Sequence, residues 1–245
     1  YVAWCWKAGG AAVTNTDGSI TSQVSANQTA GFSIVSYTGN QTDNATVGHG
    51  LGKVPDVIIV KNRNSAVAWG VWHSSLTSGQ ILRLNTTTEA QTPTTAYFQD
   101  ENNTSSVFAL GTNDETNDDD GDTYIAYCWA EIEGYSKFGT YTGIGGSDGT
   151  FINCGFKPAF LMIKRTDSNG EWWMYDSSRG STNPIPRMLM ANSNSDEQED
   201  SASYLLDLVS NGFKWRSGLA AAQGNGNTFI YIAFAESPLQ TANAK

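Results

Sequence analysis

The sequence predicts an all-β protein made of two tandem homologous β-sandwich-like domains, and three observations carry that reading. Its apolar runs are short, aromatic and β-branched, with Gly, Ser, Thr and Asn between them. Such a pattern makes many short strands and no long helices. One strand type also recurs. Gly121-Asp122-Thr123-Tyr124-Ile125-Ala126-Tyr127-Cys128-Trp129-Ala130-Glu131 returns as Gly226-Asn227-Thr228-Phe229-Ile230-Tyr231-Ile232-Ala233-Phe234-Ala235-Glu236, and a relative opens the chain as Tyr1-Val2-Ala3-Trp4-Cys5-Trp6-Lys7. Finally, the matches between copies keep one order at a spacing of roughly a hundred residues, the size of one sandwich.

Taken in order, residues 1–8 read as the closing strand of an upstream unit. The small, polar residues 9–31 read as a linker or long surface loop. Together, 1–31 form a leading segment. A strand over 32–39 matches 137–143. The run 53–61 aligns with 156–164, placing Pro55 on Pro158. Residues 69–75 then fall on 172–178, 81–85 loosely on 188–192, and 106–110 on 211–215, before the two closing strands. The repeats therefore span 32–135 and 136–245, joined through Ile132-Glu133-Gly134-Tyr135. Helical periodicity comes nearest at 204–209, which is too short to make a helix.

Composition narrows the function. Hydrophobic residues make up 39% and aromatics 11%, including eight Trp, which is enough apolar surface for true cores. A net charge of −10 with 14 Lys plus Arg excludes the basic stripe of a nucleic-acid binder. No apolar run reaches the roughly 18–20 residues of a membrane helix, so no membrane insertion is expected. Tyr1 is no natural start, and the chain is expected to be a segment of something longer. Cys5 and Cys128 occupy matching places in two strand copies, with Ala233 in the third. They read as small buried residues.

A catalytic constellation is not visible, and no enzyme activity is expected. His49 and His73 have no Cys, Asp or Glu at zinc-ligand spacing. No nucleophile-elbow, P-loop or dinucleotide fingerprint occurs. The acidic loop 114–122 offers the best calcium ligands, Asp118, Asp120 and Asp122, because hard cations prefer clustered carboxylates. Its order departs from an EF-hand, and the matching loop of the second repeat is uncharged, so a solvated acidic turn is the simpler reading. Trp69, Trp72, Trp172, Trp173 and Trp215 could stack on sugar rings. Their recurrence at matched positions points instead to packing inside each repeat. Glu131 and Glu236 recur at the ends of the closing strands and read as structural rather than as a glycosidase pair.

Three stretches together resemble a known family: 25–39 (Ser-Ala-Asn-Gln-Thr-Ala-Gly-Phe-Ser-Ile-Val-Ser-Tyr-Thr-Gly), 47–55 (Val-Gly-His-Gly-Leu-Gly-Lys-Val-Pro) and 124–139, which runs from Tyr124 through Glu131 to Gly139. They are similar to repeat domains of uncharacterised structural proteins, tail-fibre-like or virion proteins, of marine tailed bacteriophages. That family has no assigned catalytic residues. The resemblance implies a place on a virus particle as fibre, appendage or capsid decoration. Other virion proteins and further copies of the chain are the expected partners, with host-surface glycan as a possible ligand of the loops. The rival expectation is a secreted carbohydrate-binding module using Trp172 and Trp173 at its surface. A third is a depolymerase acting on host polysaccharide.

Overall fold

The computed structural model describes residues 2–118, 121–180, 182–199, 202–218 and 223–236. The protein is all-β, with antiparallel strand pairing throughout its sheets. The chain divides into two compact units: Tyr1–Arg83 with Gln91–Glu131, and Leu84–Ala90 with Ile132–Lys245.

The first unit contains β1 (Val13–Asn15), β2 (Ser22–Asn27), β3 (Phe32–Thr38), β4 (Ala45–Gly48), β5 (Val57–Asn62), β6 (Gly70–His73), β7 (Leu82–Arg83), β8 (Val107–Leu110) and β9 (Thr123–Trp129). Its main sheet runs β1-β2-β3-β9-β5-β6-β7, and β4 pairs with β8 in a second sheet. Successive side chains on a strand point to opposite faces. Val35, Tyr37, Ile58, Val60, Trp72, Tyr124 and Ala126 thus reach one face of the main sheet. There they form a single cluster with Ala45, Val47, Phe108 and Leu110 of β4 and β8. A core closed between two sheets is the sandwich-like arrangement.

The second unit contains β10 (Ser136–Thr142), β11 (Phe151–Asn153), β12 (Pro158–Arg165), β13 (Trp172–Asp176), β14 (Leu189–Met190), β15 (Leu206–Val209), β16 (Gly212–Trp215) and β17 (Thr228–Ala235). Its main sheet runs β10-β17-β12-β13-β14, with β11-β16-β15 as the second. Strand for strand, this is the order β3-β9-β5-β6-β7 of the first unit. The last strand of each unit lies in mid-sheet, β9 between β3 and β5 and β17 between β10 and β12. Tyr37 stands opposite Tyr124, and Tyr141 opposite Phe229. The two ring pairs stack at 5.1 Å and 5.0 Å with the same 12° tilt. Phe108 meets Tyr37 edge-on at 6.2 Å, and Phe213 meets Tyr141 edge-on at 6.0 Å. Gly121 and Gly226, which precede the two closing strands, both have left-handed backbones, with φ of 73° and 80°. Glycine tolerates this region where a Cβ is disfavoured. Pro158 opens β12 beside a register shift, a place where a missing N–H costs no ladder bond.

The leading segment departs from the expectation for 1–31. Residues 13–15 and 22–27 are β1 and β2 of the first sheet, and β2 pairs with β3 along its whole length. Their polarity disguised them: Ser22 and Val24 face inward and are buried, while Gln23 between them is exposed. Ser22 even buries its hydroxyl, which donates to Gly48 O at 3.0 Å. The expected strand at 1–8 is absent over 2–8, and Tyr1 lies outside the described residues. Cys5 is exposed, against expectation, whereas Cys128 and Ala233 are fully buried. The stretch at 204–209 holds strand β15. Residues 237–245 of the expected second repeat lie outside the described residues, and 84–90 join the second unit instead of the first.

Candidate functional site

Of the tryptophans that could stack on sugar rings, Trp72, Trp172, Trp173 and Trp215 are buried and Trp69 is half-buried. Trp172 and Trp173 lie on β13 with 1% and 3% of their surface exposed. Trp173 packs edge-on against Tyr204 at 5.0 Å and Trp215 at 6.0 Å. A ring enclosed in this way has no face to offer a pyranose, so Trp172 and Trp173 pack inside their unit as their recurrence suggested, and the rival surface platform is corrected. Their apolar area supports the core instead. Trp215 is fully buried, and its indole N–H donates to the Tyr141 hydroxyl at 2.9 Å.

The acidic turn is a hydrogen-bonded hub. Asp122 Oδ2 accepts from Asn62 Nδ2 at 2.8 Å and from Ser65 Oγ at 3.1 Å. Asn62 Nδ2 also reaches Asp114 O at 3.1 Å. Tyr124 donates its hydroxyl to Asp114 O at 3.0 Å and accepts from the Asp118 amide at 2.9 Å. Burial, together with the carboxylates around it, pushes the Tyr124 hydroxyl up to about 12. Glu115 is buried beside Arg83, with Nε to Oε1 at 2.7 Å, and Arg83 also donates to the Tyr97 hydroxyl at 2.9 Å. Thr116 and Asn117 are fully buried, so this part of the turn is not the solvated loop expected. Asn117 donates to Gly111 O and Thr42 O and accepts from the Asn40 amide. Of the three calcium candidates, Asp122 is engaged as described, Asp118 offers its amide to Tyr124, and Asp120 lies outside the described residues. Among the described residues, no three His, Cys, Asp or Glu side chains are grouped to hold a metal ion.

Both histidines are buried. His49 Nδ1 accepts from the Leu51 amide at 3.2 Å, and its Nε2 lies 3.2 Å from Thr104 O. Burial lowers its pKa and keeps the ring neutral. His73 Nδ1 accepts from the Ser75 amide at 3.0 Å. Each ring accepts the amide two residues further on, and His49 also ties its turn to Thr104. Glu131 closes β9, its amide donating to Asp56 Oδ2 at 2.7 Å. Glu236 pairs with Lys157 at 2.8 Å on an exposed surface.

One candidate site among the described residues is a pocket of about 290 Å³ in the first unit. Ser78, Gly79, Thr94, Phe98, Asp100 and Glu101 line it. Asp100 Oδ1 accepts from the Gly79 amide at 2.8 Å and from Ser78 Oγ at 3.2 Å, and Glu101 Oε1 accepts from the same hydroxyl at 3.3 Å. Chemically, this rim can accept hydrogen bonds from hydroxyl or ammonium groups. Sequence reasoning passed over it because Asp100 and Ser78 are brought together only by folding.

The geometry defines a class: a two-unit, sandwich-like β protein with an aromatic-rich core in each unit. The chain matches the family model described as "Domain of unknown function (DUF7483)" over residues 1–238, and it belongs to that family. No curated protein and no solved structure matches it.

Proposed function

We propose that the protein is a structural component of a bacteriophage virion, a fibre, appendage or capsid decoration, that serves mechanical and adhesive ends without catalysis. The observation that carries this reading is the resemblance of 25–39, 47–55 and 124–139 to virion repeat domains. It is supported by two units with one strand order and one three-ring core each, which we take as copies of a single module. Repetition of a rigid module extends a surface without demanding new chemistry. The acidic balance suits a protein displayed at high local density. Its partners in this reading are other virion proteins and further copies of itself, and it resides on the particle surface. Loops at a distal position would meet host glycan.

Mass spectrometry of purified particles from the genome that encodes the chain tests the proposal. Peptides of this protein at many copies per particle are expected. Accumulation in the lysate with none in the particles would overturn it.

The rival reading, a secreted glycan-binding module, loses its tryptophan platform and rests on the Asp100 pocket. A glycan array separates the two. Saturable binding abolished by Asp100→Asn but kept by Trp173→Phe would favour the rival.

A further inference from the structure

Residues 84–90 are chain from the first repeat built into the second unit, flanked on both sides by residues of the first. Just before them, Arg83 is held by Glu115. Just after them, the Gln91 amide donates to Ile81 O at 3.0 Å. In between, the segment bonds to the second unit. The Ala90 amide donates to Thr166 O at 3.0 Å, the Glu89 amide to Asn169 Oδ1 at 3.2 Å, and Thr87 O accepts from the Gly170 amide at 2.8 Å.

The fourth anchor is a side chain. Lys164, near the end of β12, is fully buried. Its ammonium donates to Thr87 O at 3.0 Å and to Gly170 O at 2.8 Å. A buried ammonium is costly unless hydrogen-bonded, and one of its two recorded acceptors comes from residues 84–90. The first unit meets a milder case alone, at the half-buried Lys61. Lys61, the counterpart on β5, donates to Asn62 O at 2.6 Å, Ser65 O at 2.9 Å and Val67 O at 3.1 Å, all in its own loop.

We propose that residues 84–90 act as a strap that the second unit requires in order to bury Lys164, so that this unit is completed by chain supplied from the first. The family match, which runs through both units as one domain over 1–238, fits a module of this compass. Carbonyls of Thr87 and Gly170 cage the ammonium, and the strap's amides tie it to the loop at 166–170. Opening the second unit therefore releases the strap.

Hydrogen exchange on the full chain tests this. In the wild type, peptides covering 84–90 are expected to retain slow amides. In rising urea, these amides lose protection together with peptides from β12 and β13, not with those from β5 and β6. Lys164→Met is expected to speed exchange in 84–90 at least tenfold. Lys61→Met is expected to loosen 62–67 and leave the strap unchanged. Strap amides exchanged at the earliest time point in the wild type would overturn the proposal. So would strap protection that follows β5 and β6, or that is indifferent to Lys164→Met. The urea series on the wild type decides the matter even if Lys164→Met fails to fold.

Discussion

The first and second units hold the same wedge of three rings but finish its phenol differently. Tyr37 donates its hydroxyl to Thr116 O at 2.7 Å, anchoring the acidic turn, whereas the hydroxyl of Tyr141 accepts the Trp215 indole N–H at 2.9 Å. Burial raises the pKa of both phenols well above the ordinary value, so each stays protonated and able to donate. The lysines diverge in the same manner, one caged by its own loop and the other by the strap. Strand register thus places matching rings in matching positions, while the loops decide how each buried polar atom is satisfied. Two units that share a strand order can still satisfy their buried polar atoms differently.

The largest effect should come from the shared wedge. Phe108 and Phe213 are fully buried at equivalent places. Phe108→Ala and Phe213→Ala are each expected to cost about 3–5 kcal/mol in urea unfolding. A loss below about 1 kcal/mol at either position would break the equivalence of the two cores.

The hydroxyls come next. Tyr37→Phe strands the Thr116 carbonyl and Tyr141→Phe strands the Trp215 indole, each at about 1–3 kcal/mol. The two should differ in where they loosen the protein. Amides of 113–117 should exchange faster in Tyr37→Phe and not in Tyr141→Phe. Equal exchange in both variants would show that the acidic turn does not depend on Tyr37.

The lysine at the strap predicts a pH dependence. Burial pushes the Lys164 ammonium down to about 8, below its ordinary value of 10.5. Between those values the unfolded chain holds a proton that the folded chain has released, so stability from this group rises with pH across the window and is flat below it. Glu171 and Glu89 oppose the downward shift, and Arg165 adds to it. From pH 7 to 9.5 the wild type should gain up to about 2 kcal/mol relative to Lys164→Met. Using the difference between the two proteins removes the opposing trend of Cys128, whose thiol burial pushes up to about 12. A difference that does not change with pH would refute the shifted lysine.

The smallest effect concerns the cysteines. Cys5 is exposed, and Cys128 and Cys154 are buried. A thiol reagent at pH 8 should label Cys5 promptly and the other two only on unfolding. Cys5→Ser should leave the unfolding midpoint unchanged. Prompt labelling of Cys128 would show that the β9 core opens readily.

The apolar strands from β3 onward and their repeated order were legible in the chain because the signals are local, whereas the strand expected at 1–8 is not formed. Alternating apolar residues mark a strand, and Gly before an aromatic run marks its start, as at Gly121 and Gly226. The polar sites were not legible. Asn62, Asn117 and Ser22 look like any other polar residues until partners distant in the sequence close around them, and the strength of a buried hydrogen bond depends on that enclosure. Recurrence at matched positions pointed Trp172 and Trp173 toward the core, and burial, with Trp173 packed against Tyr204 and Trp215, places them there. The hairpin of β1 and β2 was hidden because an edge hairpin needs few apolar residues, and the strap at 84–90 because nothing local says which unit will hold it. Sequence by itself therefore determined the all-β class and the repeated order of strands. The tertiary structure decided which polar groups are buried, and from which stretch of chain each takes its partner, because those choices are made by atoms that meet only after the chain has folded.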